Sequence, residues 1–123
     1  MSELLSRDAV LGANDLAYDE VDVPQWGGKV RVRTLTGAER SKFELSITDV
    51  RLKGDPKLKL DDLRTKLVAL CMVDAQGQRL FTDSRADLEA LGKKNAAAIG
   101  IVYDAAAKLN GLDNGDVEEL VGE

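Results

Sequence analysis

Histidine is absent from this sequence of 123 residues, and cysteine occurs once, as Cys71. Without histidine there is no Ser-His-Asp or Cys-His nucleophile and no imidazole metal ligand. A single thiol closes no internal disulfide and, with no histidine, builds no zinc finger. Aromatic residues are 4% of the chain, so a core must come mainly from Leu, Val and Ala. No run approaches the ~18 consecutive apolar residues of a membrane-spanning helix. A basic excess is missing too: the formal net charge is −5, which argues against nonspecific binding to nucleic acid or to an anionic membrane. What remains is a small soluble domain, read as no enzyme and with no metal or other cofactor.

The length suits one compact domain, and a hydrophobic fraction of 44% permits a core. Met1–Asp8 carries an acid at position 3 and no long apolar run, so it does not read as a secretory signal. Cys71 lies inside the apolar run Leu67–Val73 and is expected to be a buried free thiol in a reducing compartment. Its neighbours Leu70 and Met72 bring no cation to activate it. The expected location is cytoplasmic.

Along the chain, Ser6 to Leu16 reads as a short helix with Ser6 as N-cap and Asp8 in the first turn. Val21 and Val23 alternate with acids, and Val30 and Val32 alternate with Lys29, Arg31 and Arg33, around the turn Pro24–Gly28. This predicts an antiparallel hairpin with valines on the core face and acids opposite bases on the other. Thr36 and Glu39 have capping-box spacing, opening a helix with Phe43, Ile47, Val50 and Leu45 as its stripe and Gly54-Asp55-Pro56 as its break. A second helix starts near Leu60, with Leu63, Leu67 and Leu70 following at helical spacing. Gln78–Phe81 is open between pairing back on Met72–Val73 and standing alone. Ser84 with Asp87 caps a short helix ending at Gly92 as C′ residue. A longer helix from about Lys94 to Asn110 contains Gly100, which points to a close helix crossing. The expected class is therefore α+β: an N-terminal antiparallel hairpin, with a second short one left open, packed with about four helices. The boundaries are 1–17 for an N-terminal segment (a short helix or a flexible lead-in), 18–112 for the domain, and 113–123 for an acidic tail or short helix.

Candidate chemistry is thin. Asp61-Asp62 and Glu118-Glu119 are helical neighbours that do not face each other. Asp74–Gly77 and Asp113–Asp116 lack the spacing of a calcium loop, and neither Trp26-Gly27-Gly28 nor Leu91–Lys94 continues as a phosphate cradle. Lys29, Arg31 and Arg33 are expected to pair with nearby acids such as Glu20 and Asp22 instead of binding phosphate. Trp26, at the tip of a Pro/Gly turn, either folds onto the core or stands out as an interface anchor.

The run Val21–Arg40 resembles the opening of tail assembly chaperones of long-tailed bacteriophages and prophages. So do Leu67–Asp74 with Gly77 and Arg79-Leu80-Phe81, and Lys108–Leu112. These are motifs of fold and turn, and no catalytic residue comes with them. The resemblance implies a non-enzymatic protein of the infected bacterial cytoplasm, absent from the finished virion. It implies binding to the tape measure protein, keeping its apolar helices soluble, and recruiting tail tube protein during tail morphogenesis. It also implies a frameshifted longer form of the chain as a partner, with an end at Gly122-Glu123 suiting the shorter product. Candidate partner contacts are Leu4, Leu5, Val10 and Leu11 of the N-terminal segment together with Trp26; the alternative for each is completion of the core. The rival readings are a structural virion protein, such as a head–tail connector or tail completion subunit, and a small regulatory protein binding another macromolecule.

Overall fold

The computed structural model of the chain describes residues 4–53 and 60–112, and the side chains of 49–53, 60 and 61 fall outside that description. The acidic tail and the break at Gly54-Asp55-Pro56 lie outside the described residues, as do the side chains of Val50 and Leu60.

The hairpin forms where the valine alternation places it. Strands β1 (Tyr18–Val23) and β2 (Gly28–Arg33) pair antiparallel, joined by a 3-10 turn over Pro24–Trp26. Proline presets φ at the start of that turn, and Gly27 closes it at φ 75°, a left-handed value that favours glycine. The register sets Val21 against Val30, Glu20 against Arg31 and Asp22 against Lys29. Arg31, however, does not turn to Glu20. Its Nη1 donates to the Ala75 carbonyl at 2.8 Å, and its guanidinium stacks over the Tyr18 ring at 4.2 Å. Arg33 likewise leaves the hairpin and pairs with Glu39 of the next helix. A strand pairing is decided by register, but a long side chain takes the best acceptor within reach, wherever it lies.

Helix α2 (Gly37–Lys53) begins at a reciprocal box. Glu39 N–H donates to Thr36 Oγ1 at 3.2 Å, and Thr36 N–H donates to the Glu39 carboxylate at 3.0 Å. Phe43 and Ile47 are buried, whereas Leu45 points to solvent. Helix α3 (Leu60–Cys71) passes directly into a third strand, β3 (Met72–Val73), which pairs antiparallel with β2 and completes a sheet of order β1-β2-β3. Every residue from Leu67 to Val73 is buried. That run crosses the core first as helix and then as strand, so it has no polar face by which its change of period could be read.

Helix α4 (Arg85–Gly92) is capped by Ser84, whose Oγ accepts from Asp87 N–H. Gly92 is not the left-handed C′ residue expected of it: the helix includes it and caps at Lys93, with φ −83°. Helix α5 (Ala96–Leu109) starts on Asn95, whose side chain accepts from Ala98 N–H at 3.0 Å. It packs on β1 and β2 with one side and on α3 with another, while α3 also meets α2 and α4. A helix enclosed in this way is apolar over most of its circumference, which explains the burial of Ala98, Ile99, Val102, Tyr103, Ala106 and Ala107. Gly100 does not mark a close crossing, since a Cβ there would meet nothing within 4 Å. At the other end Leu112 N–H donates to Ala107 O and Gly111 N–H to Lys108 O, with Gly111 at φ 72°. This is a Schellman closure with Leu112 buried beneath it.

The first helix, α1 (Arg7–Gly12), is shorter than the Ser6–Leu16 segment expected, and Ala13 is already extended. Among the described residues, nothing covers it. Its cap on Ser6 closes one turn (Ala9 N–H to Ser6 Oγ, 3.1 Å), but without burial no further turn is stabilised.

Candidate functional site

Trp26 is half-buried and packs against the core from the hairpin tip. With Val30 of β2 and Met72 of β3 it lines a groove of about 440 Å³. Leu80 and Phe81 contribute a further part of the lining, and Ala90 and Leu91 of α4 with Lys94 the rest. Leu80 is 52% exposed.

The elements around this groove are held by turn chemistry. Asp74 Oδ1 accepts from Gln76 N–H at 2.8 Å and Gln78 N–H at 3.0 Å, and Gly77 adopts φ 83°. The chain thereby reverses after β3. Asp74 N–H then meets Gln78 O, a bridge joins Val73 to Arg79, and Leu80 N–H donates to Met72 O at 3.1 Å. The Asp87 carboxylate next accepts the Thr82 amide at 2.6 Å and its hydroxyl at 2.8 Å, which sets the direction of α4; these bonds hold Asp87 below the usual carboxylate range. Lys42 of α2 reaches Asp83 at 3.0 Å and depresses its pKa through that hydrogen bond.

A second apolar surface is α1 with its lead-in. Leu4 is 99% exposed and Leu11 67%, with Leu5 and Val10 also open to solvent. Leu5 and Val10 stand at the N′ and N4 positions of a hydrophobic staple around Ser6, yet α1 buries none of its residues. None of these four lines the Trp26 groove. The five candidate contact residues are thus divided between two surfaces. Leu80 and Phe81, which line the groove, were not singled out as contacts. Their signal in the sequence is an apolar pair standing alone between Arg79 and Thr82 after a Gly turn, and it acquires meaning only once β3 is known to be a strand.

The polar interior serves the fold. Arg33 Nη2 lies 2.8 Å from both Glu39 carboxylate oxygens, and Arg79 Nη1 lies 3.1 Å from one of them. Burial pushes the Glu39 pKa up, but the Thr36 amide and the two guanidiniums outweigh it, and the net shift is downward. Asn110 gathers four contacts: its Oδ1 accepts from Leu35 N–H, its Nδ2 donates to Ala106 O and Cys71 Sγ, and its carbonyl accepts from Arg40. Burial pushes the Cys71 thiol up to about 12 despite the Asn110 amide, so at neutral pH it is protonated. Beside Asn110, Leu109 and the start of α2 lies a cleft of about 460 Å³ with mixed polar lining that includes Asp15. Among the described residues no group of three or more His, Cys, Asp or Glu is placed to hold a metal ion, and no helix is long and apolar enough to cross a membrane. No protein-family model matches the chain, and no curated protein or solved structure shows significant similarity to it.

Proposed function

We propose that this chain is a bacteriophage tail assembly chaperone of the host cytoplasm, a non-enzymatic protein that binds the tape measure protein and keeps its apolar helices in solution. The observation that carries the reading is the uncovered apolar surface. Leu4, Leu5, Val10, Leu11 and Leu80 are exposed, while the core of the described residues is built from other side chains. A domain that has satisfied its own core and still presents large apolar side chains has a surface suited to another chain. Its net charge of −5 keeps such a surface soluble between encounters. The resemblance to tail assembly chaperones implies the partners: the tape measure protein first, then tail tube protein, with a frameshifted longer form of the same chain acting beside it.

The test is co-expression with a candidate tape measure protein. The expected result is a larger soluble fraction of that protein and its co-purification with this one. Unchanged insolubility and no co-purification would refute the reading. Purified particles provide a second check: a chaperone is absent from them, whereas a connector or tail completion subunit is present.

A further inference from the structure

We infer that the outer edge of β1 is a docking edge for an extended, basic segment of a partner protein, which joins the sheet as a further strand. The inference stands on the chemistry of that edge and does not rest on the chaperone reading.

β1 lies at the margin of the sheet order β1-β2-β3, so one of its edges has no neighbouring strand. Thr34 N–H donates to Ala17 O, which fixes the phase of the ladder. In the register that follows, Asp19, Val21 and Val23 turn their main-chain groups toward β2, and Tyr18, Glu20 and Asp22 turn theirs outward. The Glu20 amide is covered by its neighbour, since Asp19 Oδ1 accepts from it at 2.9 Å. Among the described residues, no hydrogen bond within the chain reaches the amides of Tyr18 and Asp22 or the carbonyls of all three. Donors and acceptors repeated at every second residue of an exposed strand match one form of ligand, another strand. The opposite margin of the sheet is a poorer template. There the segment after Gly77 is no continuous strand but an isolated bridge at Arg79, and its Phe81 carbonyl already accepts from Arg79 Nε.

Charge selects the occupant. Asp19, Glu20 and Asp22 are exposed, and among the described residues none of them makes an ion pair, although Arg31 stands opposite Glu20 and Lys29 opposite Asp22. Arg31 is engaged with the Ala75 carbonyl and the Tyr18 ring instead. A strand laid along β1 therefore has three carboxylates on its immediate neighbour. A second copy of β1 would bring three more, and like charges directly opposite destabilise a strand pair. Lys or Arg on the face shared with Tyr18, Glu20 and Asp22 makes opposite-charge pairs there. The occupant that satisfies both backbone and charge is a stretch in which Lys or Arg alternates with β-branched residues.

The probe is a short synthetic peptide with blocked ends, Lys alternating with Thr and Val, titrated into the full chain. Amide chemical shifts and hydrogen exchange follow the binding. The Tyr18 and Asp22 amides should become protected, and a peptide with Glu in place of Lys should bind roughly tenfold more weakly, the scale of two cross-strand charge pairs reversed in sign. Glu20→Gln combined with Asp22→Asn, both at exposed positions, should bring that preference down to about threefold or less. In this register the amides of the Lys residues face β1 and those of Thr and Val face away. N-methylation of the Lys residues should abolish binding, and N-methylation of the Thr and Val residues should spare it. No binding of the Lys peptide, equal affinity for the Lys and Glu peptides, binding that survives N-methylation of the Lys residues, or protection at sites other than β1 would each overturn the inference. Protection of Tyr18 and Asp22 on raising the concentration of the chain alone would show that a second copy takes the edge, and would overturn the basic partner.

Discussion

Gly77 sits at φ +83°, and a Cβ there would come within 3.1 Å of the Tyr18 hydroxyl. The left-handed backbone disfavours any side chain there, and the Tyr18 hydroxyl would have to give way slightly as well, so Gly77→Ala should destabilise the domain by about 1 kcal/mol. Gly100 is the opposite case: it lies inside α5 with open space where a Cβ would stand. Gly100→Ala should therefore stabilise the protein by roughly 0.5–1 kcal/mol, because alanine loses less backbone entropy in a helix. Urea denaturation of the two variants reads both signs in one experiment. Cys71 illustrates how a neighbourhood rewrites intrinsic chemistry. With its thiol pushed up to about 12, it should resist a thiol reagent at neutral pH in the folded chain and react rapidly in denaturant. Rapid labelling of the native protein would show that Cys71 is accessible after all.

At the scale of elements, the start of α2 joins a local signal to a long-range one. Thr36 and Glu39 make the reciprocal cap that their spacing announces. Thr36→Ala should cost about 1 kcal/mol. Glu39 also anchors Arg33 from β2 and Arg79 from the segment after β3, contacts six and forty residues away that no local pattern encodes. Its folded pKa lies below the ordinary 4.5. The ion triad therefore contributes its full stability above that value, and the contribution is lost as pH falls through the lower folded pKa. Glu39→Gln should cost about 2 kcal/mol at neutral pH, as expected for a partly buried charged hydrogen bond. The variant and wild type should converge in stability as pH is lowered through that window. A constant difference between them across the acid range would mean that the charge on Glu39 is not what matters.

For the whole molecule, the separation between α1 and the rest is the clearest feature. Among the described residues, 4–12 bury nothing, and the hydrogen bonds that pin the lead-in to β1 are those between Ala17 and Thr34. Removing residues 1–12 should leave the thermal midpoint unchanged within a degree or two, since surface changes away from packed features fall within about 0.5 kcal/mol. A substantial drop would show that α1 docks on the domain in solution.

The sequence by itself determined whatever is governed by short-range chemistry. The valine alternation set the hairpin, the Thr36–Glu39 and Ser84 caps set two helix starts, and Asn110-Gly111 set one helix end, because each depends on neighbours a few residues away. The apolar run through Cys71 announced burial but not form. Burial on all sides erases the period that distinguishes helix from strand, so only the pairing of Met72 and Val73 with β2 decided that the chain changes state there. The same was true of the candidate site. Trp26, Leu4 and Leu11 were legible as candidate contacts, each with completion of the core as its alternative. Which of them line a groove, and which stand alone, depended on a third strand, a turn at Gly77 and the position of α4, all set by packing between segments distant in the sequence.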